Sequence, residues 1–124
     1  MNDERVAFLE QTVETKSFRF ALRIVKLCEY LRNEKKEFTL SKQLLRGGTS
    51  VGANVAESQQ AQSRLDFVNK LNIALKEAVE TNYWIRLLYA AEYLSKTEYD
   101  SIIVDCRELE KMLTSIIKTT KTQG

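Results

Sequence analysis

The feature that most constrains the fold is the segment from residue 44 to residue 57, Leu-Leu-Arg-Gly-Gly-Thr-Ser-Val-Gly-Ala-Asn-Val-Ala-Glu. It contains three of the chain's four glycines, yet Leu44, Val51 and Val55 recur at spacings of seven and four. These spacings place the three apolar side chains on one side of a helix. Because a glycine inside a helix costs about 0.8–1 kcal/mol relative to alanine, the three glycines require a structural or functional reason.

Close helix packing is the reason that the spacing favours. Gly48, Gly52 and Ala56 fall four residues apart and form a ridge with almost no side-chain atoms, which predicts that a neighbouring helix packs directly against it. The alternative is a phosphate-binding loop, in which a strand precedes the glycines and a lysine followed by serine or threonine comes after them. No lysine follows these glycines, and residues 40–46 have a helical pattern, so helix packing is the favoured interpretation.

Composition predicts one all-α domain and argues against an enzyme. The chain of 124 residues contains no proline and is rich in leucine, lysine and glutamate, as helical proteins are. It also has no histidine, and its two cysteines, Cys28 and Cys106, both fall on apolar stripes. We therefore expect buried thiols, no metal, no cofactor and no catalytic residues. The absence of a signal peptide or a long apolar run predicts a cytoplasmic protein without membrane contact.

Four amphipathic helices follow from the periodicity, and short connections between them predict an up-down-up-down antiparallel four-helix bundle spanning residues 1–124. We expect residues 1–12 to be a helical extension or frayed, with Asp3 as its earliest start, and residues 119–124 to form a disordered tail. The predicted helices run from Val13 to Arg32, from Leu40 to Gln60, from Arg64 to Tyr93, and from a capping box at residues 95–98 to Thr119.

The first helix has more apolar surface than one bundle needs. Its apolar residues cover an arc of about 220° at 100° per residue, whereas a stripe a little over 100° wide is enough for a helix on the outside of a bundle. This excess predicts contact with a second subunit as well as with the chain's own core, and hence a homo-oligomer. The residues predicted at the oligomer interface are Phe20, Ile24, Leu27, Leu31 and Trp84.

A basic stripe occupies the remaining arc of the first helix. The net charge is only +2, but residues 16–46 contain nine bases and three acids. The stripe consists of Lys16, Arg19, Arg23 and Lys26, spaced three, four and three, with Tyr30 at its end. A solvated face is one interpretation; a track for phosphates, with the tyrosine stacking on a base, is the other. The predicted nucleic-acid-binding set also includes Lys42 and Arg46.

The acids Glu57, Glu77 and Glu80 have a catalytic and a structural interpretation. Two carboxylates held close together can perform acid–base chemistry, but no nucleophile, base or metal ligand accompanies them in the sequence. The favoured interpretation is that they pair with bases on neighbouring helices, such as Arg46.

The segment at residues 44–57 resembles the second-helix signature of a bacterial four-helix-bundle family whose members include proteins encoded in intervening sequences of 23S ribosomal RNA genes. Residues 67–88, with Ala-Leu-Lys-Glu-Ala at 74–78 and Glu-Thr-Asn-Tyr-Trp at 80–84, are similar to the third-helix signature of that family. Lys16-Ser17 and Phe20-Ala21 match its weaker first-helix pattern. The resemblance extends over residues 13–117.

This resemblance implies a bundle that assembles as a ring of five subunits and has no established enzymatic activity. In a related branch, the accessory variability proteins of diversity-generating retroelements, the bundle partners a reverse transcriptase and binds nucleic acid through a basic surface. Two functions are therefore expected here: binding of RNA or DNA through the basic stripe, or a protein-interaction scaffold that does not itself bind nucleic acid.

Overall fold

The computed structural model of the chain describes residues 12–123, and these residues form four α-helices. Helix α1 spans Val13–Asn33, α2 spans Leu40–Ser58, α3 spans Arg64–Ala90 and α4 spans Lys96–Thr122. None of these helices is long and apolar enough to span a membrane.

Successive helices run antiparallel, as contacts between them show; between α2 and α3, Arg46 pairs with Glu80 whereas Glu57 pairs with Lys70. On the α1 side of α2, Gly48 lies opposite Ile24 and Gly52 lies opposite Ser17, so residue numbers rise on one helix as they fall on the other. The stack of Tyr89 on Tyr99 lies where α3 leads into α4, and these two helices continue side by side from there. Helix α1 also contacts α4, which closes the up-down-up-down bundle predicted from the sequence.

The core is formed by the inward faces of all four helices. Phe20, Ile24 and Leu31 of α1 are between 0% and 1% exposed, and they pack with the buried residues of the other helices. Their predicted place at an oligomer interface is therefore wrong, because they are fully covered within a single chain. Leu27 is only half-buried and packs against this core.

All four helix ends differ from the predicted ones, that of α1 by a single residue, since it ends at Asn33 rather than Arg32. Helix α2 ends at Ser58 rather than residue 60. Helix α3 ends at Ala90 rather than residue 93, because Glu92 adopts a left-handed conformation with φ 68°, and Tyr93 N donates to Leu88 O at 2.9 Å. The predicted disordered tail from residue 119 is not seen as far as Thr122, where α4 ends. Thr120 Oγ1 donates to Ile116 O at 2.7 Å and Thr122 Oγ1 donates to Thr119 O at 2.9 Å.

Capping residues fix most helix starts. The hydroxyl oxygens of Thr12 and Ser63 accept hydrogen bonds from the first turns of α1 and α3, and Ser95 forms the predicted capping box with Glu98. Helix α2 differs, since Thr39 makes no side-chain cap and the buried Glu37 carboxylate instead accepts the Ser41 N–H at 2.8 Å. The predicted start at Asp3 lies outside the described residues.

Candidate functional site

The glycine ridge of α2 packs against α1 without space for side chains. A Cβ on Gly48 would lie 2.7 Å from Ile24 Cγ1 and 2.8 Å from Ile24 Cγ2, distances that real Cβ contacts do not reach. A Cβ on Gly52 would lie 3.2 Å from the backbone oxygen of Ser17. The packing role predicted for these two glycines is confirmed. Ala56, the third member of the predicted ridge, is exposed. It lies near Glu14 at the start of α1 and lines a surface groove.

The next residues of the same segment contact α3. A Cβ on Gly47 would lie 2.8 Å from Thr81 Oγ1. Beside it, Arg46 Nη1 donates to Glu77 Oε2 at 3.2 Å, and Arg46 Nη2 donates to Glu80 Oε1. One guanidinium therefore joins α2 to two carboxylates one turn apart on α3. The structural interpretation of Glu77 and Glu80 is confirmed, and the half-exposed Arg46 guanidinium is paired with both carboxylates.

Charged side chains join α1 to α4 at the surface of the bundle. Lys16 Nζ pairs with Glu108 Oε1. Arg23 Nη1 lies 2.5 Å from Asp105 Oδ2, and its Nη2 donates to Ser101 Oγ at 2.8 Å. The basic stripe thus lies along the α1–α4 seam, facing acids that the sequence places more than 75 residues away.

These pairings divide the predicted nucleic-acid-binding residues into two groups. Lys16, Arg23 and Arg46 each have a carboxylate partner, whose negative charge opposes their positive charge. Lys26 and Lys42 are exposed and form no ion pair within residues 12–123. Of the other two predicted residues, Arg19 is exposed and Tyr30 is half-buried. The stripe is contiguous on the helix, but its positive charge is partly compensated.

An apolar surface on α1 is the feature that the sequence-based interface prediction missed. Phe18 is 71% exposed and Leu22 is 52% exposed, and their spacing of four puts them on one face of α1. A groove of about 320 Å³ lies beside Phe18, with Gly52, Ala53 and Ala56 of α2 in its lining. We call Phe18, Leu22 and this groove the apolar α1 surface. Phe18 and Leu22 both belong to the wide apolar arc that the sequence predicts on the first helix, so the sequence already indicated this surface.

Trp84 is half-buried and packs against the core, so only part of its side chain is available at the predicted interface. Its Nε1 donates to Glu80 Oε1 at 3.2 Å, the same oxygen that Arg46 approaches. The adjacent Tyr83 is 49% exposed and contacts the tryptophan edge-on, with ring centroids 5.2 Å apart. Of these two aromatic residues, the tyrosine is therefore the better candidate for a subunit boundary.

The buried thiols are poor nucleophiles. Burial, reinforced by the nearby Glu37 carboxylate, raises the pKa of Cys28 to about 11, and burial together with Glu110 raises the pKa of Cys106 to about 12. The thiolate is the reactive form, so both groups stay protonated at neutral pH. Within residues 12–123, no group of three or more histidine, cysteine, aspartate or glutamate side chains could hold a metal ion.

The described residues form an all-α four-helix bundle. Its main features are the glycine ridge of α2, the ion pairs between helices and the apolar α1 surface. The family model of the 23S rRNA-intervening sequence protein matches residues 10–115. The chain belongs to this family of 23S rRNA-intervening sequence proteins.

A solved relative supports the same conclusion. The chain is 59% identical to a protein of unknown function from the S23 ribosomal protein family of Bacteroides thetaiotaomicron VPI-5482, whose crystal structure superposes with a TM-score of 0.85. The match covers 86% of this chain and 99% of that one. A search of functionally curated proteins gives no match.

Proposed function

We propose that this protein is a non-enzymatic scaffold that assembles with copies of itself through the apolar α1 surface and presents the resulting ring to a protein partner. The observation that carries this proposal is the exposure of Phe18 and Leu22, 71% and 52% respectively, beside an apolar groove. Adjacent large apolar side chains at a protein surface mark interaction sites. The protonated thiols and the absence of histidine support a non-enzymatic role.

A ring of five, which the family resemblance implies, requires two different surfaces on each subunit. Rings with an odd number of subunits are built from head-to-tail contacts, in which one patch meets a different patch on the next copy. The apolar α1 surface supplies one patch. Helix α3 offers a second, because Val79 is 52% exposed and Tyr83 is 49% exposed, and their spacing of four places them on one face.

The test is the solution mass of a variant in which Phe18→Gln and Leu22→Gln are combined, measured by sedimentation velocity. Both residues are exposed in the single chain, so the variant keeps its fold while the apolar contact is lost. We expect the wild type to sediment as an oligomer and the variant as a monomer. Phe38→Gln is the matched control, because Phe38 is 57% exposed but lies in the α1–α2 connection. An unchanged mass in the double variant would contradict the proposal.

The partner in this proposal is a protein such as the reverse transcriptase that the related branch accompanies. Pull-down with the wild-type oligomer from nuclease-treated extract tests this part. Recovery of a specific protein that is lost with the monomeric variant supports a scaffold, whereas recovery that requires intact nucleic acid contradicts direct protein binding.

Nucleic-acid binding is the second candidate. It is favoured by Lys26 and Lys42, the lysines of the predicted binding set that are exposed and form no ion pair within residues 12–123. Each lysine that contacts a phosphate adds about 0.9 to the slope of log affinity against log salt on duplex DNA. If RNA or DNA binds here, the Lys26→Gln, Lys42→Gln variant should lose nearly two units of this slope in fluorescence anisotropy. Lys16→Gln with Arg23→Gln should lose less, since both bases already face carboxylates. Equal losses in the two variants would contradict this division.

A further inference from the structure

Four of the chain's five tyrosines gather near one end of the bundle. Tyr30 and Tyr89 lie in the last turns of α1 and α3, Tyr93 lies in the α3–α4 connection, and Tyr99 lies in the first turn of α4. They meet because the α1–α2 and α3–α4 connections of an up-down-up-down bundle are at the same end. The rings of Tyr89 and Tyr99 stack, with centroids 4.3 Å apart and planes inclined by 14°.

Three of these tyrosines line a hollow of about 850 Å³, which we call the tyrosine hollow. Its aromatic lining comes from Tyr30, Tyr89 and Tyr93, and its charged lining comes from Lys35, Glu92 and Glu98. The groove of the apolar α1 surface is lined by the first turns of α1 and the second half of α2, toward the opposite end of the bundle. The two features are therefore separate.

The backbone at Glu92 is unusual. Glu92 N donates to Tyr89 O at 3.0 Å and Tyr93 N donates to Leu88 O at 2.9 Å, which together form a Schellman motif. The left-handed residue of this motif is usually glycine, but here it is a glutamate with φ 68°. Strained residues of this kind cluster at ligand-binding positions. The Glu92 carboxylate lines the hollow and forms no ion pair within residues 12–123.

The charges of the hollow favour a cation over an anion. The lining contains two glutamates and one lysine, so its side chains carry a net negative charge that would repel a phosphate. A cation already contacts one of the rings, since Lys35 Nζ lies 5.9 Å from the centroid of Tyr30. Aromatic faces attract lysine and, more often, arginine side chains in this way.

We propose that the tyrosine hollow binds the guanidinium group of an arginine presented by a partner polypeptide. The planar guanidinium stacks on a tyrosine ring, as arginine does on aromatic faces, and its N–H groups donate to the Glu92 carboxylate. Glu98 contributes negative charge, while its Oε1 also accepts the Ser95 N–H at 2.7 Å within the α4 capping box. Lys35 competes for the same aromatic lining and weakens the site.

The test uses the full chain with 13C-labelled tyrosine rings and the peptide acetyl-Gly-Arg-Gly-amide, followed by NMR. We expect the ring signals of Tyr30, Tyr89 and Tyr93 to shift, while Tyr83, which does not line the hollow, serves as an internal control. A single arginine side chain should bind in the millimolar range. Glu92→Gln should weaken binding about fivefold, and Lys35→Met should strengthen it.

Two further ligands and one structural check make the outcome decisive. The matched peptide with citrulline in place of arginine keeps the shape without the charge and should not shift the rings. Equal shifts with citrulline, shifts with adenosine monophosphate but not with the arginine peptide, or unchanged affinity in Glu92→Gln would each overturn the proposal. Far-ultraviolet circular dichroism of the Glu92→Gln variant should match the wild type, since the substitution leaves backbone and capping bonds intact. The test does not depend on self-association, so the two proposals can fail separately.

Discussion

Helix α1 contacts its two neighbours in opposite ways. Against α2 it meets a ridge where Gly48 and Gly52 leave no space for a Cβ, and against α4 it is joined by the pairs Lys16–Glu108 and Arg23–Asp105. The first contact is close and apolar, and the second is wider and charged. Close packing penalises any added atom, whereas partly exposed ion pairs contribute little. The α1–α2 contact therefore holds α1 in place, and the α1–α4 contact tolerates change.

The largest effect expected from this contrast is that of Gly48→Ala. Its Cβ would lie 2.7 Å from Ile24 Cγ1 and 3.1 Å from Ile24 Cβ, so the backbone of α1 must shift. Overpacking of this kind costs about 1–3 kcal/mol, more than the higher helix propensity of alanine returns. We expect a net loss of about 2 kcal/mol in the free energy of unfolding, measured by urea denaturation.

A double-mutant cycle controls for this prediction. Ile24→Ala removes the γ carbons that the new methyl group would meet, so Gly48→Ala should cost much less in that background. Additive losses in the double variant would show that the glycine is not needed for close approach of α1.

The pH dependence of the free energy of unfolding tests whether the helix contacts shield the two buried thiols from solvent. Cys28 Sγ donates to Ser41 O of α2 at 3.3 Å, and Cys106 Sγ donates to Ala78 O of α3 at 3.3 Å. Burial raises the pKa of Cys28 from 9.0 to about 11. Between pH 9 and pH 11 the folded chain therefore keeps a proton that the unfolded chain loses. The contribution of this thiol to stability is complete below pH 9 and is lost as pH rises from 9 toward 11.

By pH 10 we expect this loss to reach about 1 kcal/mol per thiol. Urea unfolding at pH 8 and pH 10 measures it, with Cys28→Ala as the control, because lysines and tyrosines titrate in both proteins. The variant should lose less stability between the two pH values than the wild type; an equal loss would mean that the thiol is not shielded from solvent.

The smallest effect is expected at the α1–α4 seam. The side chains of Arg23 and Asp105 are 42% and 40% exposed, so water and salt screen their attraction. Arg23→Gln should lower the free energy of unfolding by about 0.5 kcal/mol, and 1 M NaCl should remove this difference. A loss as large as that of Gly48→Ala would erase the contrast between the two contacts.

Periodicity predicted the bundle and its helix packing well, because burial of an apolar stripe is a local property of each helix. It predicted the roles of Gly48 and Gly52 for the same reason. It could not show that Arg23 faces Asp105, because that pairing depends on which face of α4 closes the bundle. It also assigned Phe20 and Ile24 to an interface, since a wide apolar arc does not reveal which part the chain's own core covers.

The measurement that tests the account most directly is the solution mass of the wild type at 0.1 M and 1 M NaCl. Copies joined through Phe18, Leu22 and the adjoining groove are held by apolar burial, which salt does not weaken, whereas ionic contacts between copies are screened. We predict an oligomer of the same mass at both salt concentrations. A monomer at both, or an oligomer that dissociates at 1 M NaCl, would contradict self-assembly through the apolar α1 surface.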